Sequence, residues 1–80
     1  MSQIDQYKKA FVDAFEVTED QLEDLEYQGI DDWDSVGHMM LISILEEQFD
    51  IMMEMDDIID FSSFKKGKEI LAKYGVDLGA

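Results

Sequence analysis

Apolar residues recur at helical spacing in three segments of this chain, and nowhere do they alternate with period two long enough to build a sheet. Ile4, Tyr7, Phe11, Ala14 and Phe15 form the first stripe and predict a helix from about residue 3 to 15. The second segment runs from Ser35 to Phe49. At about 100° per residue, Leu41, Ile42, Leu45 and Phe49 share one face with His38, while Val36, Met40, Ser43 and Glu47 share the opposite face. With the first face on the core, Val36 and Met40 are expected in water. Phe64, Gly67, Ile70, Leu71 and Tyr74 form the third stripe, with Ser62 or Ser63 as N-cap and Gly75 at the C-terminal stop. The fold class that follows is all-α, expected as a small four-helix bundle of three longer helices and one short one.

The short helix is expected at about Asp56 to Asp60, with Ile58 and Ile59 under the bundle. Between the first two helices lies a long connection, Glu16 to Asp34. A loop of that length in a small domain is functional or internally packed. Val17, Leu22, Leu25, Tyr27, Ile30 and Trp33 offer the anchors, and Thr18 to Gln21 reads as a capping box that starts a short helical turn. Residues 1–80 form one domain. Folding at this length buries only about 60–65% of the unfolded chain's surface, so a thin core must suffice.

Charge narrows the partners. Twenty acidic residues face six lysines and no arginine, for a net charge of −14. From residue 11 to 63 there are 17 acids and no cation. Nucleic acid and anionic membrane surfaces would be repelled, whereas a partner with a basic surface would associate quickly and with strong salt dependence. The 46% apolar content opposes disorder. No cysteine is present, so disulfides, thiolate metal sites and cysteine nucleophiles are excluded. The N-terminal residues lack the apolar segment of a signal peptide, and the apolar run 39–45 is too short to span a bilayer. A soluble cytoplasmic monomer is expected.

Asp34 and Ser35 open the most apolar helix. Either is a good N-cap, which is the plainest use of such a residue there. A hydrolytic pair of Ser35 with His38 lacks an acid to orient the imidazole and an evident oxyanion hole, so no catalytic residue and no enzyme activity are assigned. A calcium loop through Asp32, Asp34 and Gly37 fails, because Val36 stands where an oxygen ligand is required and Ser43 where a glutamate is. No metal site is expected. Attachment is the remaining use: a hydroxyl at a helix N-terminus is exposed, and the free N–H groups there favour a phosphate placed on it.

Asp34-Ser35-Val36, followed by HMMLISILEEQFDI from His38 to Ile51, resembles the acyl carrier proteins, whose mark is Asp-Ser-Leu at the start of the second helix. The resemblance extends over essentially the whole chain: helix, long loop, serine-headed helix, short helix, last helix. It implies that Ser35 carries 4′-phosphopantetheine, transferred from coenzyme A by a phosphopantetheinyl transferase, within the attachment motif of Asp34 and Val36. The cofactor's thiol would hold acyl groups as thioesters and present them to enzymes of fatty-acid, polyketide or related lipid biosynthesis, so a cysteine-free chain gains its sulfur from the cofactor. Val36, Met40 and Glu47 are the expected partner-binding residues. Val36, Gly37, Met40 and Trp33 depart from the pattern of fatty-acid carriers, which leaves a specialised carrier and a general one both open. An aminoacyl or peptidyl carrier would use the same tether. From a different class, an acidic interaction protein mimicking nucleic acid would use the charge but leave Ser35 without a role.

Overall fold

In the computed structural model, which describes residues 2–76 and 78, five helices follow one another: α1 (Gln3–Phe15), α2 (Glu19–Leu22), α3 (Ser35–Phe49), α4 (Met55–Asp60) and α5 (Phe64–Ala72). The described residues contain no strand, and one isolated bridge pairs Glu26 with Ser63. Side chains set the starts. Ser2 accepts from the Asp5 N–H at 3.3 Å, Asp34 from the Gly37 N–H at 2.8 Å, and Ser63 from the Lys66 N–H at 2.9 Å. At α2 the Thr18 N–H donates to Gln21 Oε1 at 2.9 Å, as its capping-box spacing predicts. Left-handed residues stop α1 and α3, Glu16 at φ 54° and Asp50 at φ 52°.

The three stripes meet as expected. Tyr7, Phe11 and Phe15 of α1 pack with Leu41, Ile42 and Leu45 of α3 and with Phe64, Ile70 and Leu71 of α5. The Tyr7 hydroxyl donates to the Phe64 carbonyl at 2.6 Å, and burial pushes its pKa far up. Gly67 permits this approach, because a Cβ there would stand 2.2 Å from the Tyr7 hydroxyl oxygen.

The long connection is packed. Val17, Leu22, Leu25 and Trp33 are buried, Ile30 is half-buried and Tyr27 lies partly in solvent. Its backbone is tied to the start of α5 by Tyr27 N–H to Ser62 O at 2.9 Å and Phe64 N–H to Leu25 O at 3.0 Å. Trp33 is fully buried, stacked on Phe15 at 5.2 Å and edge-on to Phe11 at 5.6 Å.

The short helix corrects one expectation. Ile59 is 70% exposed and Ile58 only half-buried, so the pair does not lie under the bundle. Asp57 is the buried residue instead. Its carboxylate receives Lys73 Nζ at 2.5 Å and the Tyr74 hydroxyl, which offset the cost of burying it. Apolar spacing in so short a segment does not reveal which side faces inward when an inward acid has partners waiting.

Candidate functional site: the serine at the head of α3

Asp34 caps α3, and this releases Ser35. The Asp34 carboxylate takes the Gly37 N–H, and its backbone carbonyl takes the His38 N–H at 2.8 Å. Ser35 is therefore the first helical residue, exposed, and its hydroxyl bonds to none of the described residues. The N–H groups of Ser35 and Val36 are likewise left over in the first turn. An oxygen nucleophile thus stands beside two unused donors and the positive end of a 15-residue helix. Free N–H groups and the positive end of a helix favour an anionic group at such a position.

His38 is not available to Ser35 as a base. Trp33 Nε1 donates to its Nδ1 at 2.9 Å, and its Nε2 meets the Ile58 carbonyl at 2.7 Å. Both ring nitrogens are engaged elsewhere. The imidazole packs with Trp33, Tyr27 and Phe61 on the inner side of α3.

Two depressions flank Ser35. On one side an apolar groove of about 340 Å³ runs between α3 and α4, its lining including Ser35, His38 and Met39 of α3 and Met55, Ile58 and Ile59 of α4. On the other side Val36 and Met40 meet Asp13, Glu16, Asp31, Asp32 and Asp34 in an acidic depression. Val36 is 71% and Met40 50% exposed, as the helical spacing predicts. Glu47 is exposed farther along α3 and outside that depression. Spacing therefore anticipates a helix start at Asp34 and Ser35 and the exposure of Val36 and Met40, but not the flanking acids or the groove. Those acids come from α1 and the loop, and no local pattern ties them to α3. Among the described residues no three His, Asp or Glu side chains converge on a metal-holding position, and no helix is long and apolar enough to cross a membrane.

Comparison with protein-family profiles, curated proteins and solved structures returns no match for this chain.

Proposed function

We propose that this protein is an acyl carrier: Ser35 bears 4′-phosphopantetheine, and the thioester-bound cargo is delivered to enzymes that dock through basic surfaces. The observation that carries the reading is the division of labour at α3, where Asp34 caps the helix and leaves the Ser35 hydroxyl free at its head. A serine kept only for capping would hold the Asp34 position. The apolar groove beginning at Ser35 suits the cargo of such an arm, since Met39, Met55 and Ile59 offer hydrocarbon and sulfur surface next to the attachment point. In this reading α1, α3, α4 and α5 form the carrier's four-helix bundle, α2 belongs to its long connection, and the protein works as a cytoplasmic monomer. The tether raises the local concentration of cargo at each partner's active site, and the chain itself performs no chemistry.

Val36 and Met40 give docking an apolar contact, and the carboxylates around them give it charge. An acidic nucleic-acid mimic would use the same charge yet would have no use for a free hydroxyl at a helix head. The Gly37 and Trp33 departures favour a specialised carrier over a general fatty-acid carrier.

The test is intact mass after incubation with coenzyme A and a phosphopantetheinyl transferase. The wild-type chain gains one phosphopantetheine and Ser35→Ala gains none. Because Asp34 supplies the cap, Ser35→Ala changes stability by no more than about 0.5 kcal/mol in urea unfolding. A folded Ser35→Ala chain that still takes the cofactor would remove the assignment.

A further inference from the structure

His38 joins three parts of the molecule. It sits on α3, takes a hydrogen bond from Trp33 in the long connection, and gives one to the Ile58 carbonyl in α4. An indole N–H can only donate, so Nδ1 must be bare and the proton must lie on Nε2. The ring is thus held in one neutral tautomer, with its donor aimed at α4. Ile58 is part of the groove wall facing Ser35 and Met39. At six residues, α4 is too short to be helical by itself and takes its position from what it is bonded to. Asp57 and Glu54 tie α4 to Lys73 and Tyr74, beyond the end of α5. The His38 bond ties it to α3, across the groove.

We propose that His38 is a positioning residue that pins the α4 wall to the Ser35 helix and so sets which apolar chains the groove admits. Met39 on one side and Met55 and Ile59 on the other are exposed to at least half of their surface, so the groove is open at its rim and its width depends on where α4 stands. Trp33 completes the pin by fixing the ring's orientation from the far side, and the Trp33 indole is itself immobilised among Phe11, Phe15 and Phe61. The inference rests on the carrier reading only in taking cargo as the natural occupant of the groove.

The experiment uses the unmodified full chain, so it succeeds or fails independently of whether Ser35 accepts a cofactor. Amide hydrogen exchange across α4 is compared in wild type, His38→Leu and His38→Gln. In parallel, uncharged n-alkanols of increasing length displace the fluorophore N-phenyl-1-naphthylamine. His38→Leu loses both bonds, so α4 exchange rises by about 2–10-fold, the population change equivalent to one net hydrogen bond. The alcohol preference then moves to longer chains. His38→Gln retains a neutral donor and acceptor and stays within about twofold of wild type on both readings. Unchanged α4 exchange or alcohol preference in His38→Leu, or equal effects in the two variants, would overturn the pin. So would a wild-type chain that binds no fluorophore. Should His38→Leu not fold, nitrogen-15 chemical shifts of the wild-type imidazole decide: protonated Nε2 with bare Nδ1 is expected, and the opposite tautomer overturns the assignment.

Discussion

An added methyl group at Gly37 would lie 2.0 Å from the Asp32 carbonyl oxygen and 3.2 Å from the Phe15 ring. The loop backbone is drawn onto the first turn of α3 because Trp33, the next residue, is buried beneath it. Glycine inside a helix costs about 0.5–1 kcal/mol relative to alanine, so its use two residues after Ser35 answers a need for space. Any side chain at this position would have no room with the loop in place. Gly37→Ala is therefore expected to destabilise by about 1–3 kcal/mol, through overpacking, where an ordinary helical Gly→Ala change would stabilise. The midpoint of urea unfolding reads this directly, and a stabilised variant would mean that the loop yields at little cost. Trp33, Gly37 and His38 thus form one unit: the indole fills the core, the glycine admits the loop, and the imidazole takes the indole N–H.

At the scale of elements, α4 depends most on polar partners. Asp57 is held below the ordinary carboxylate range, first by the hydrogen bond from Lys73 and then by that from Tyr74, against the opposing effect of desolvation. Lys73 is raised in turn, chiefly by Asp57. A carboxylate with a lowered folded pKa contributes stability that is fully present above its unfolded value of about 3.9 and is lost as pH falls through the lower folded value. Asp57→Asn is therefore expected to melt below wild type at pH 7 and pH 5, with the gap closing as the pH is taken under about 4. Melting curves of the two chains across that range test it. A gap that stays constant would assign the contribution to packing of the carboxyl group instead of its charge.

Across the whole molecule charge is divided. Lys8 and Lys9 lie on α1, Lys65, Lys66 and Lys68 on α5, and Lys73 just after it, while α3 and α4 carry acids and no cation. Six of the seven large apolar side chains exposed among the described residues fall on that same acidic part: Val36, Met39 and Met40 on α3, with Met52, Met55 and Ile59 in and before α4, while Tyr27 lies in the long connection. Apolar contact area framed by one sign of charge suits a partner surface that is basic around an apolar centre. Glu47→Lys leaves the fold intact, since its side chain is exposed. The substitution is expected to slow cofactor transfer at low ionic strength and to flatten the salt dependence of that rate. Initial transfer rates measured over a series of salt concentrations check this, and identical slopes for the two chains would move the proposed docking surface away from the outer face of α3.

Helix positions follow from the chain alone because they rest on local relations: apolar residues three and four apart, and a serine, threonine or aspartate one residue before the first turn. α1 and α3 occupy the segments that spacing predicts, and Ser63 is one of the two caps proposed for α5. The exposure of Val36, Met40 and Ser35 was legible for the same reason, since a helix with its core face known has its outer face known too. Spacing could not choose between Asp34 and Ser35 as the cap, because both side chains suit the role and only the three-dimensional placement of the oxygens decides. It also could not turn Asp57 inward, join Trp33 to His38 and Ile58, or gather Asp13 and Glu16 beside Val36. Each of those depends on which distant groups arrive opposite, and a buried acid, an imidazole tautomer or a groove exists only once its partners from other elements are in place.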